Sequence, residues 1–253
     1  MKSSLYKILC STGAILTVTA LVLVINARAT GYEYSIYTST PVAVWVLILT
    51  SVLISIALLI SEASKDNPGR RWVIALLILM SNSIVVILLS TLRDYYSVGS
   101  DTLMHMGYVR DLANGIVSAQ NIYPGVHALP ALLVLLGLSP MTATNISPAF
   151  IYVIYVASFY ALSRFIWSNR RKVIIATTIS AILLLPHGIG LSATLVGAAM
   201  FPLTLLVIMR LKRDFNKRNI VVFTLLLAAI SVIHPLALEV AIISTVAACV
   251  LPD

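Results

Sequence analysis

Long apolar runs separated by short polar and basic stretches fill the chain, at about 6–27, 41–61, 72–92, 144–167, 173–190, 195–211, 219–234 and 236–251. A helix crossing a hydrocarbon core of roughly 30 Å needs about 20 apolar residues, so each run is long enough to span, given some tilt. Lipid offers no partners to unpaired backbone groups, and such continuous apolarity predicts helix over open sheet. A ninth run, 126–138, is shorter and lies between Pro124 and Pro140, so it is expected as a juxtamembrane or re-entrant helix. The pattern predicts an all-α chain, a polytopic transmembrane helix bundle of about eight spanning helices plus one short juxtamembrane helix. Residues 1–253 are expected to form a single transmembrane domain.

Composition agrees with that pattern. The chain has 60% hydrophobic and only 10% charged residues, with a mean hydropathy of +1.01. Soluble domains are far less apolar and carry about 25% charged residues. The formal charge of +8 raises the question of nucleic acid. The basic residues lie in short clusters between apolar runs, as in cytoplasmic loops, so membrane lipid and not nucleic acid is the expected surrounding. Cys10 and Cys249 fall inside apolar runs near opposite ends and form no disulfide framework or metal motif. The stretch after Met-Lys-Ser-Ser-Leu-Tyr-Lys is longer than a signal-peptide core, and a retained first helix is expected.

The distribution of Lys and Arg sets the orientation. With the N-terminus in the cytoplasm, 14 of the 17 basic residues lie inside, leaving Arg28, Arg93 and Arg110 outside. That bias predicts a multi-pass plasma-membrane protein with a cytoplasmic N-terminus, and a ninth crossing at 126–138 would invert every later loop. The same topology puts His105, His127, His187 and His234 at or beyond the outer surface, with Glu33, Asp94, Asp101, Asp111 and Glu239.

The longest polar segment, 93–125, is therefore an extracytoplasmic loop, and loops of this length inside a compact bundle are uncommon unless functional. Gly99-Ser100-Asp101 reads as a helix start, with a helix over about 101–114 that stops at Gly115. On it Asp101, His105, Tyr108 and Leu112 share one face while Arg110 points the other way. A carboxylate four residues before an imidazole suits a general base with its orienting partner, half of a metal site, or a phosphate-facing pair. A capping Asp and a packed interfacial His fit the spacing equally. Asp94 and Asp111 read as solvated acids. His187 follows Pro186 and His234 precedes Pro235, positions where helix-end polar residues are ordinary. Glu239 lies about a turn inside its helix. An ionisable group there costs roughly 2.5–3.5 kcal/mol and is usually paired or faces a wet cavity, so Glu239 is expected to line the same cavity.

No HExxH, Walker loop, CxxC pair or GxSxG occurs, which removes the common zinc protease, nucleotide-driven pump and serine hydrolase readings. No cofactor motif is present. The acids and histidines on one side suit a divalent metal, but no spacing fixes a ligand set. Trp45, Trp72 and Trp167 sit near predicted helix ends, as interfacial belts do. Asn145-Ile-Ser147 matches a glycosylation sequon at a predicted interface and is discounted.

The order of an outer loop with an Asp, then Tyr123-Pro124-Gly125-x-His127, then a helix ending in Arg164-x-x-Trp167-Ser-Asn-Arg-Arg-Lys172, resembles multi-spanning glycosyltransferases of the GT-C fold. It is more closely similar to uncharacterised archaeal and bacterial membrane proteins whose first large outer loop reads D-x-x-x-H-x-x-Y/I-x-x-x-x-x-x-G followed by Y-P-x-x-H. Here those positions are Asp101, His105, Tyr108, Gly115, Tyr123, Pro124 and His127. Residues 31–37, Gly-Tyr-Glu-Tyr-Ser-Ile-Tyr, look like the archaeal members, and the resemblance otherwise covers about 72–190.

The resemblance implies a GT-C-like glycosyltransferase, or the N-terminal membrane half of one. Its sugar would pass from a polyprenyl-phosphate donor to an extracytoplasmic glycan or protein acceptor. Asp101 then stands where the family's base or orienting group stands, with His105 as its catalytic partner. Tyr108, Arg110, Tyr123, His127, His187, His234 and Glu239 are the expected substrate-binding residues. Two departures stand against it: residues 186–190, Pro-His-Gly-Ile-Gly, lack the second acid that many GT-C enzymes carry, and the chain stops directly after a helix. They favour the alternative, a non-catalytic membrane module for lipid binding or complex assembly.

Overall fold

The computed structural model describes residues 3–95, 100–183 and 190–250, with residues 100–102, 183, 236 and 249 described as backbone alone. Among the described residues there is helix and no strand. The helices are α1 (Ser3–Asn26), α2 (Ile36–Ser39), α3 (Val42–Ala63), α4 (Trp72–Ile87), α5 (Leu89–Leu92), α6 (Ser100–Ala113), α7 (Pro124–Leu135), α8 (Pro140–Ile166), α9 (Arg170–Leu183), α10 (Ala193–Arg213), α11 (Lys217–Ile233) and α12 (Pro235–Val250). Four of them, α1, α3, α8 and α10, are long and apolar enough to cross a membrane. Among the described residues, two interruptions shorten predicted spans as helices. The run 72–92 divides at Leu88 into α4 and α5, and His234 ends α11 in extended backbone just before Pro235 opens α12.

Caps explain several of the boundaries. Ser192 and Asn216 accept the backbone N–H groups of Leu195 and Asn219 and start α10 and α11. α6 ends as its sequence predicts. Gly115 takes a φ of +77°, its N–H reaches the carbonyl of Leu112, and the N–H of Ile116 reaches that of Asp111. α7 begins with Pro124 in its first turn and stops the same way at Gly137, φ +101°. At 12 residues it is too short to span.

The chain, expected as one domain, divides into two compact units, 1–97 with 166–189 and 98–165 with 190–253. In the first unit α1, α3 and α4 pack together and α9 packs on α3 and α4. Ala20, Val24, Val44, Ile48, Val85 and Leu89 form a core cluster. The interior also holds a polar node. The Asn82 amide donates to Thr17 Oγ1 (3.0 Å), Ser51 Oγ (2.9 Å) and the Ile78 carbonyl (2.8 Å), while Ser51 donates to the Gly13 carbonyl (2.8 Å). Gly13, with Ile78, Ile54 and Ser51 around the place of its missing side chain, is where α1 comes close enough for this.

Two ionic clamps close the loops of that unit. Arg93, 2% exposed, donates to both carboxylate oxygens of Glu33 (2.8 and 2.5 Å) and to the carbonyls of Ala27 (2.8 Å) and Ser39 (2.9 Å). Glu62, buried at the end of α3, pairs with Lys65 and accepts the Gly69 N–H (2.8 Å).

In the second unit α10, α11 and α12 pack on one another, α7 packs on α11, and α6 on α7. Val207, Leu226, Ile230 and Ala241 are the core. The α7–α11 contact requires glycine. A Cβ on Gly125 would stand 2.9 Å from the Val232 carbonyl oxygen and 2.9 Å from Ile233 Cγ1. Gly197 of α10 gives a looser version of the same contact, its missing Cβ 3.2 Å from Ala237 and 3.4 Å from His234.

Candidate functional site

The candidate residues lie in the second unit, apart from His187, which falls outside the described residues. α6 carries Asp101 and His105 one turn apart on its backbone, so both belong to one face. The Asp101 side chain lies outside what is described. α7 carries His127, and Tyr123 is the residue that caps its start, four positions earlier, with the Gly125 contact holding this end of α7 against α11.

These two helices meet. His105 Nδ1 and His127 Nε2 share a hydrogen bond of 2.7 Å, and the rings lie 5.0 Å apart. Tyr108 adds its ring 5.4 Å from His127, and its hydroxyl donates to the Gln120 carbonyl at 3.1 Å. His105 is 6% exposed and His127 only 1%. Tyr123 stacks on His234, rings 5.4 Å apart and 7° from parallel. Beside His234 opens an apolar cavity of about 190 Å³ between α10, α11 and α12, with Gly197, Phe201, Ile230 and Ala237 in its wall.

Burial, and after it the neighbouring charge of His105, pushes His127 down to about 4 from its ordinary 6.5. His127 is thus neutral at pH 7, and a neutral imidazole has one donor and one acceptor nitrogen. Nε2 is taken by His105, whichever tautomer holds the proton, while Nδ1 is buried with no hydrogen-bond partner. A buried polar atom without a partner is costly, about 1–3 kcal/mol.

Other expected residues stand apart. Arg110 is exposed on the opposite side of α6, as its helical phase predicted, and meets Asp111 at 3.5 Å. Glu239 is exposed on α12 and does not line the cavity that Ala237 and Val240 line, because it sits about 200° around the helix from Ala237. Among the described residues no group of three or more His, Cys, Asp or Glu side chains converges on a metal-sized site. His105 and His127 supply two nitrogens.

Sequence reasoning missed the glycines that set these distances and the pairing between the two imidazoles. The spacing of Tyr123 and His127 was the available signal for α7, since it repeats the four-residue interval of Asp101 and His105. Comparison with protein-family models, with curated proteins and with solved structures finds no match to this chain.

Proposed function

We propose that this chain is a GT-C-like membrane glycosyltransferase that moves a sugar from a polyprenyl-phosphate donor to an extracytoplasmic glycan or protein acceptor. The observation that carries the reading is the buried pair of His105 and His127, with one unpartnered imidazole nitrogen, on helices that also carry Asp101 within α6 and Tyr123 at the start of α7. In the proposed step an acceptor hydroxyl attacks the anomeric carbon, and its oxygen–carbon bond forms as the carbon–oxygen bond to phosphate breaks. The phosphate leaves with the electron pair. The hydroxyl proton passes to Asp101 or, through His105, to the imidazole pair. The apolar cavity beside His234 is of a size for one isoprene unit of the donor.

The reading takes eight helices as spanning, α4 and α5 counting as one with α1, α3 and α8–α12, and places the N-terminus in the cytoplasm of a plasma membrane. The supporting asymmetry is the 14 of 17 basic residues on one side of such a topology. Proteoliposomes given radiolabelled polyprenyl-phosphate hexoses and alkyl glycoside acceptors provide the test. Loss of general-base assistance is worth about 10²–10⁴-fold. Asp101→Asn and His105→Gln are expected to lower kcat by at least about 100-fold. Folded variants that transfer sugar at the wild-type rate would overturn the reading.

One observation favours the second reading, a non-catalytic membrane module for lipid binding or assembly. Both imidazoles are almost wholly buried, as groups are that only tie two helices together. Under that reading wild-type protein binds polyprenyl phosphate and transfers nothing from any donor of the panel.

A further inference from the structure

The turn between α10 and α11 holds a second polar site, at the opposite end of α11 from His234. The 17 residues of α11 separate the two ends by about 25 Å. There a cavity of about 500 Å³ is lined by Arg210, Arg213 and Arg218, with Phe165, Val207 and Val222 as its apolar wall. One carboxylate, Asp214, also lines it, so the lining carries three positive charges against one negative. Asp214 does not neutralise the arginines. Its Oδ2 accepts from the Asn216 amide at 2.5 Å and its carbonyl from the Asn219 amide at 2.7 Å, while none of the three arginines forms an ion pair among the described residues.

All three are exposed but border one hollow, where the Arg213 guanidinium lies 5.6 Å from the centre of the Phe165 ring. Planar guanidiniums are suited to phosphate oxygens, which they bind through paired N–H donors. The N-terminus of α11 adds its partial positive charge to the same hollow.

The surroundings select the source of the phosphate. α10 is long and apolar enough to span, and Arg210 and Arg213 sit in its last turn, at the level where headgroups would lie. Phe215, 78% exposed, projects from the turn as an interfacial aromatic anchor does. From the cavity a stripe of exposed apolar side chains, Val221, Val222 and Leu225, runs on along α11. That stripe is cover for acyl chains. We propose that Arg210, Arg213 and Arg218 form a binding site for the phosphate of an anionic membrane lipid, with its acyl chains along the Val222–Leu225 face of α11. Basic hollows between helices at this level are the setting in which anionic headgroups are recognised.

The test titrates the full-length protein in neutral detergent with phosphatidylglycerol, phosphatidylcholine or inorganic phosphate and reads bound lipid by native mass spectrometry. Phosphatidylglycerol is expected to bind about tenfold more tightly than phosphatidylcholine. R210Q/R218Q is expected to bring that preference within about threefold. R170Q/R171Q removes equal charge from the first unit and is expected to leave the preference intact. Inorganic phosphate is expected not to displace the lipid. Equal binding of the two lipids by wild-type protein overturns the proposal, and that comparison stands alone if R210Q/R218Q does not purify. An undiminished preference in R210Q/R218Q, or a loss in R170Q/R171Q, overturns it equally. Displacement by inorganic phosphate overturns the lipid assignment in favour of a free-phosphate site.

Discussion

Arg93 in the first unit caps the end of an apolar helix and Arg213 in the second is the last residue of one, yet their surroundings differ in kind. Arg93 is buried, and its fork is filled by both oxygens of Glu33 and by backbone carbonyls. Arg213 rests against a phenyl ring in an open hollow beside two more arginines. The neutral polar groups repeat the contrast. Asn82 is held by Thr17, Ser51 and the Ile78 carbonyl, with its amide oxygen alone left over. His127 has one partner, another imidazole, and an idle nitrogen. Polar groups that satisfy one another hold helices in register. Unsatisfied buried polar atoms occur in both units, Trp45 Nε1 and the Asn82 amide oxygen in the first and His127 Nδ1 and Ser163 Oγ in the second, so the proposed reading of the first unit as scaffold and the second as site rests on the paired imidazoles and the arginine hollow.

The comparison breaks most visibly at Arg93. Arg93→Ala leaves the Glu33 carboxylate without its partner, and loss of one member of a buried pair costs about 3–5 kcal/mol. A thermal melt in detergent reads this as a large fall in Tm, and a small fall would mean that the clamp is not structural. Gly125→Ala places a Cβ against the backbone of Val232, and overpacking of this kind costs about 1–3 kcal/mol. The same variant should disturb the His127 environment, visible as a changed titration by NMR, whereas Gly13→Ala meets only ordinary contacts and should not.

Acid sharpens the contrast next. His127 titrates near 4 in the folded chain and near 6.5 when exposed, so between these values the unfolded chain holds more protons. Stability is then full above about pH 6.5 and falls as pH drops toward 4, by at most about 3 kcal/mol. His127→Gln should flatten that slope. The smallest effect is expected from Asn82→Leu, since interhelical hydrogen bonds in membranes average about 0.6 kcal/mol, and the melt should move by only a few degrees.

Much of this architecture was legible before any coordinates. The apolar runs located the helices, and the Gly115 stop of α6 followed from backbone chemistry alone. The shared face of Asp101 and His105 is a property of one helix, and helical phase reaches that far. It does not reach from His105 to His127, 22 residues away, because periodicity says nothing about which faces of different helices meet. Arg93 read as one of three outer cations, with no sign of Glu33 as its partner. Arg210 and Arg213 read as loop charges, although their three-residue interval already put them on one side of α10. Glu239 drew attention by its cost in an apolar helix, yet phase alone would have turned it away from the Ala237 wall.

The division between scaffold and site is tested most directly by a photoreactive polyprenyl phosphate, crosslinked to the reconstituted protein with and without excess unlabelled lipid. The account predicts that competable label maps to 100–135 and to α10–α12. Competable label on residues 3–92, or label that excess polyprenyl phosphate does not displace anywhere in the chain, would contradict it.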